Sequence, residues 1–219
     1  MPLNSVLRRW LWLSALSPAF SVAAPGPAPL PAEFVDPASP AVAAIRQAGE
    51  LAVGAVGKKL LTALNTALAA GGPEAAVLVC QTQALPLTAE KLADQPTLVS
   101  VKRTSLRLRN PANAPDAAER LALNQVAKLI AAGQPPPPVL VQRIETSGPA
   151  TPEWRVYRPI VTKAECLVCH GDSATQPPEL RTALQTRYPA DAATGYAADQ
   201  WRGLFRVTLS PAPAPAAAP

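Results

Sequence analysis

The chain predicts an α+β domain, on three observations. Apolar residues recur at helical spacing through its first half, and strand-like runs cluster in its second. Pro-rich stretches bound the region 41–209 at both ends, which leaves one core between them. Strands clustered in the second half with helices ahead of them are an α+β order.

The elements follow in sequence. Residues 41–70 place Ile45, Ala48, Ala52, Val56, Leu60, Leu64 and Ala67 on one helical face, interrupted by Gly49, Gly54 and Gly57. A long N-terminal helix is expected there. Gly71-Gly72 ends it, and Pro73 opens a second helix through Cys80 toward Ala84. Residues 97–102 read as a strand. Asp116 and Glu119 have the spacing of a capping box for a helix over 117–132, closed by Gly133. Pro135–Pro138 form a stiff spacer. Val139–Glu145 and Trp154–Val161 read as two strands joined by a Ser-Gly-Pro turn, followed by a helix over Pro178–Arg187 and a last strand over Gly203–Leu209. Trp154, Tyr157 and Phe205 lie in strands and read as core.

Residues 1–23 have the form of a signal peptide. Arg8 and Arg9 precede an apolar run from Trp10 to Val22, and Ser21-Val22-Ala23 supplies the small residues of a cleavage site after Ala23. Pro18 and the short length argue against a membrane span. Arg8-Arg9 faintly resembles a twin-arginine signal, but the general secretory route is preferred because the cofactor inferred below is attached after export. The expected location is the periplasm, with no membrane span after cleavage. Residues 24–40 hold six prolines and are expected to be loose, and residues 210–219 are a Pro/Ala tail expected to be disordered. Removal of the signal leaves 18 basic against 15 acidic residues. That near balance argues against a nucleic-acid partner.

The chemistry sits in Cys166-Leu167-Val168-Cys169-His170. A C-x-x-C-H run in an exported chain reads as a c-type haem attachment site. Two thiols one helical turn apart can add across the two vinyl groups of one haem, and the adjacent imidazole reaches the iron. One such motif implies one covalently bound haem. His170 is the single histidine of the chain, and the single methionine, Met1, leaves with the signal. A second His or a Met is therefore excluded as the distal ligand. What remains is Cys80, a Lys or Tyr, a backbone amine, or a water-filled position. Cys80 has a plain alternative role as a small buried residue on the Ala76, Cys80, Ala84 face.

Several stretches carry a family resemblance. Gly71-Gly72-Pro73-Glu74-Ala75-Ala76 through Cys80, then Arg103-Thr104-Ser105-Leu106-Arg107 and Arg109-Asn110-Pro111-Ala112-Asn113-Ala114-Pro115, resemble an exported bacterial mono-haem c-type domain family. So does Tyr157-Arg158-Pro159-Ile160 ahead of the Cys-Leu-Val-Cys-His-Gly segment. This cyanobacterial haem-protein-like family also occurs in sensor kinases. The resemblance, over residues 40 to 209, implies a PAS-like antiparallel sheet flanked by helices. It also implies His/Cys ligation, with His170 proximal and Cys80 distal to the iron.

Lys102, Arg103, Arg107 and Arg109 form a basic segment. Arg103, Arg107 and Arg109 are candidates to pair with the haem propionates, against the plain reading of a solvated loop. Asn110 and Asn113, set between prolines, fix a turn there. A thiolate ligand favours ferric iron and so lowers the reduction potential. The expected roles are low-potential electron transfer, or redox or small-gas sensing, through a separate redox or signalling partner. An enzyme is not expected, since no catalytic constellation accompanies the motif. The alternatives are a structural zinc site of Cys80, Cys166, Cys169 and His170, and a five-coordinate haem enzyme.

Overall fold

A computed structural model describes residues 31–82, 97–145 and 151–210. The signal peptide, Ala84, the Ser-Gly-Pro turn and all of the C-terminal tail but Ser210 lie outside the described residues.

Five strands pair antiparallel throughout: β1 (Ala32–Val35), β2 (Leu98–Thr104), β3 (Leu140–Ile144), β4 (Glu153–Val161) and β5 (Trp201–Leu209), in the order β1-β3-β4-β5-β2. Among the described residues four α-helices accompany them: α1 (Ala43–Thr82), α2 (Ala117–Ala131), α3 (Leu167–His170) and α4 (Pro178–Arg187). The α+β class and the long N-terminal helix are as the sequence implies. Helix α1 breaks at the expected place, where Gly71 and Gly72 leave helical geometry (Gly72 at φ 67) and Pro73 restarts the helix.

Strand alternation divides the sheet into two faces. On one, Val101, Val141, Val156, Val207 and Leu209 meet Val42, Ala52 and Val56 from the N-terminal part of the chain. On the other, Tyr157 and Leu204 meet Ala122, Leu123 and Val126 of α2. Burial of the valines and leucines among them, each worth about 1.5–3 kcal/mol, holds the helices to the sheet. Gly49 sets the approach of α1: a Cβ there would lie 2.4 Å from Val156 Cβ.

Helix α2 starts on the capping box read from the sequence. The Asp116 carboxylate accepts from Glu119 N–H at 2.7 Å, and the Glu119 carboxylate accepts from Asp116 N–H at 3.0 Å. Glu119 is fully buried, and its charge is met by Lys102 Nζ at 2.7 Å and Arg206 Nε at 2.9 Å. Below it, Tyr157 donates to Gln142 Oε1 at 2.7 Å, which pairs these two buried side chains with each other.

Two expectations are corrected. The stretch 24–40 is not loose throughout, because Ala32–Val35 pairs residue for residue with Ile144–Val141 as β1. It is an edge strand, where neighbouring prolines remove no sheet hydrogen bond. The basic segment is not one loop either. Lys102 and Arg103 belong to β2, and alternation sends Lys102 to the α2 face with Glu119 and Arg103 to the α1 face.

The stretch Pro40–Cys80 is long and apolar enough to cross a membrane by length and composition, with mean hydropathy 1.3 over its most apolar window. Here Ala52 and Val56 seat it on the sheet, while Leu60, Leu64 and Leu68 turn toward a cavity.

Candidate functional site

Strand β4 delivers the chain directly to the Cys-x-x-Cys-His segment. A single turn over Ala164–Cys166 runs into α3, so Cys166 and Cys169 lie one turn apart on one short helical stretch. Gly171 permits the tight exit, since a Cβ there would meet the Leu167 carbonyl oxygen at 2.6 Å. Cys80, Cys166 and Cys169 are all free thiols, each half-buried.

These residues border one cavity of about 300 Å³. Leu60, Leu64 and Leu68 of α1 supply apolar wall, Ile160 and Phe205 come from the sheet, and Ala76, Val77 and Cys80 come from the helix after the break. The break at Gly71-Gly72 thus lets one helical element serve twice. Its first part covers the sheet, and its second packs Val77 against Leu180, Leu184 and Tyr188 of the α4 region and brings Cys80 to the cavity. Cys80, Cys166, Cys169, His170, Arg103 and Arg109 all border this space; Arg107 does not.

A strap over residues 191–196 fixes the histidine. His170 Nδ1 lies 2.7 Å from the Ala193 carbonyl oxygen. A carbonyl only accepts, so Nδ1 carries the proton and Nε2 keeps a free lone pair, the form that ligates a metal. Tyr196 N–H and Gly195 N–H donate to the carbonyls of His170 and Gly171 at 2.9 and 2.7 Å. Burial, then the nearby Arg109 and Arg202 charges, push the His170 pKa down to about 3, so the imidazole is neutral. Burial pushes the Cys169 thiol up.

The arginines separate by task. Arg109 pairs with Asp191 at 2.9 Å and donates to the Cys169 carbonyl at 2.5 Å, tying the strap to α3. Asp191 also accepts from Ala193 N–H at 2.8 Å. Arg107 donates to the strap carbonyls of Ala192 and Thr194, and stacks 4.3 Å from the Tyr196 ring. Both are therefore engaged in holding the strap, and Arg107 lies outside the cavity that Arg103 and Arg109 border. Arg103 borders the cavity with no hydrogen-bond or ion-pair partner among the described residues. Burial works against its charge, which Cys80 and Tyr188 favour.

Sequence reasoning missed Arg202, Asp191 and the strap. Arg202, at the start of β5, borders the same cavity. No local pattern marks any of the three, because they meet the motif only through the fold. Trp154 and Phe205 pack against the core and Tyr157 is fully buried in it, as the sequence implies.

Among the described residues, no group of three or more His, Cys, Asp or Glu side chains is arranged to hold a metal ion. Cys80, Cys166, Cys169 and His170 share a cavity without closing into the tetrahedral set that zinc requires.

No curated protein matches the chain significantly. Among solved structures it is similar to the cyanobacterial heme-protein Tll0287, at 24% identity over 78% of this chain and 96% of that one, with a TM-score of 0.42. The family model described as Tll0287-like matches residues 36–210, which among the described residues span α1 to α4 and strands β2 to β5. The chain belongs to the Tll0287-like family.

Proposed function

We propose that this chain is an exported, periplasmic mono-haem c-type protein built on a PAS-like module, serving low-potential electron transfer or redox sensing. One observation carries the reading: Cys80 and the Cys166–His170 turn, far apart in sequence, border one apolar cavity. Membership of the Tll0287-like family supports it, since the cyanobacterial Tll0287 is a heme-protein.

The residues suit the group. Haem is flat and apolar with one acidic edge, and the cavity offers leucine walls, thiols and arginines. Cys166 and Cys169 would hold it by two thioethers, with His170 Nε2 and Cys80 Sγ as the protein donors available to its iron. Bound there, the group supplies a one-electron couple. The protein's own residues set its terms. Ala193 and Asp191 hold the imidazole in its ligating tautomer, and Cys80, bound as thiolate, would compensate ferric charge.

Two protein donors to the iron, His170 and Cys80, would favour electron exchange or sensing over turnover, so no enzymatic activity is proposed. A small gas that could compete with Cys80 for the group would make the protein a gas sensor, which is the second reading. A redox or signalling protein is the proposed partner; neither nucleic acid nor a membrane is. The Pro40–Cys80 stretch is assigned to the domain itself because Gly49 and Val56 lock it to the sheet.

The test is the absorption spectrum of the purified protein, ferric and ferrous, with and without carbon monoxide, followed by acid-acetone extraction. A Soret band that survives extraction is expected. A colourless protein, or haem that extracts fully, contradicts the reading.

A further inference from the structure

We propose that Arg103 and Arg202 form a subsite for two carboxylates on one edge of a flat apolar ligand. The proposal rests on the haem reading for the ligand's identity, in which these carboxylates are the two propionates.

The observation is an unsatisfied pair of cations inside an apolar space. Arg202 Nη1 donates to Ser105 Oγ at 2.7 Å and to the Arg107 carbonyl at 2.9 Å. Those bonds fix the guanidinium in place. Its Nε is buried and has no hydrogen-bond partner among the described residues. Nε and Nη2 form the edge of a guanidinium that matches a carboxylate bidentately, and Nη1 is the nitrogen already spent. Arg103, from the neighbouring strand β2, borders the same cavity without a partner of its own among the described residues.

Charge accounting points the same way. Of the three arginines that border the cavity, Arg109 is matched by Asp191. Glu165 also borders it, but on the exposed turn of Ala164–Cys166. Arg103 and Arg202 remain, close enough to repel each other, with burial opposing both charges. Buried cations persist when an anion meets them, and an unmet one is strongly destabilising. Two cations call for two negative charges, and leucine walls call for an apolar body between those charges and the thiols. Two small anions would satisfy the arginines and leave the leucines bare.

The experiment uses the holo-protein and reads the carboxylate bending bands of its haem by resonance Raman. Arg103→Gln and Arg202→Gln are each expected to shift one band, and Arg202→Lys to shift it less. Arg158→Gln, which removes a half-buried cation paired with Glu50 outside the cavity, should leave both bands unmoved. In the wild type, both bands should hold steady as pH falls through about 4, where a free carboxylate protonates. That arm needs no variant to fold. Bands unmoved in both glutamine variants, or titrating like free carboxylates in the wild type, overturn the subsite while the haem reading stands. A wild-type protein without haem overturns the reading beneath it, and the subsite with it.

Discussion

Arg109 Nε lies 2.9 Å from Asp191 Oδ2, and this ion pair joins the strap over residues 191–196 to the Cys-x-x-Cys-His turn. Both side chains are about nine-tenths buried. The same carboxylate holds Ala193 N–H, and the Ala193 carbonyl holds His170 Nδ1. The orientation of the imidazole therefore depends on a residue outside the motif.

Asp191→Asn is expected to uncouple that arrangement. The amide can still accept from Ala193 N–H, but Arg109 is left as a buried, unmatched charge. Breaking a buried pair from one side costs about 3 kcal/mol. Thermal denaturation of the holo-protein should show a loss of that order, with an altered low-spin ferric signal from a less constrained His170. Wild-type stability and an unchanged signal would contradict the role.

The two thiols can be tested separately. Cys166→Ala or Cys169→Ala should leave one thioether at most, with a sharply lower yield of covalent haem. The measurement is the haem-to-protein ratio after acid-acetone extraction. Wild-type ratios in both variants would count against the attachment site.

Gly49→Ala probes how α1 seats on the sheet. Alanine improves helix propensity by about 1 kcal/mol. The new Cβ, however, would lie 2.4 Å from a Val156 Cβ anchored in β4, which no rotamer change relieves. Overpacking of this kind costs roughly 1–3 kcal/mol, so a net loss of about 1 kcal/mol is expected in chemical denaturation. A stabilised variant would show that the helix stands further from the sheet.

Asp116 gives a pH signature. Burial opposes its charge, but the Glu119 N–H and the Arg155 guanidinium outweigh that and hold its pKa below the usual carboxylate value. A depressed folded pKa stabilises the protein above the unfolded pKa and loses that contribution as pH falls through the folded one. Asp116→Asn keeps a good N-cap and loses the charge. The variant should be less stable than wild type at neutral pH, and the two should converge at a pH below the ordinary carboxylate range. A difference independent of pH would assign the effect to the cap.

The sequence shows what local chemistry determines. The capping box at Asp116, Pro178 at a helix start and the break at Gly71-Gly72 each depend on residues a few positions apart, and each is found where expected. Strand β1 was hidden because four residues between prolines carry no alternation long enough to read, and their pairing is decided by β3. At the site, the C-x-x-C-H motif is legible because its chemistry is contiguous. The basic segment is legible only as charge. Which of its arginines meets the cavity is set by strand alternation at Arg103 and by the strap that takes Arg107 and Arg109. Arg202 has no signal at all in its own neighbourhood.

The distal donor is the least constrained part of the proposed haem site. Cys80 borders the cavity whether it binds iron or merely fills space beside Ala76 and Val77. Cys80→Ser separates the two. As a ligand, its loss removes the sulfur that compensates ferric charge, so the ferric spectrum should move to a high-spin form and the reduction potential should rise. As packing alone, the change buries a hydroxyl and costs roughly 1–2 kcal/mol with the spectrum unaltered. The decisive measurement is the ferric absorption spectrum of folded Cys80→Ser beside that of the wild type: a low-spin to high-spin change supports His170/Cys80 ligation, and identical spectra contradict it.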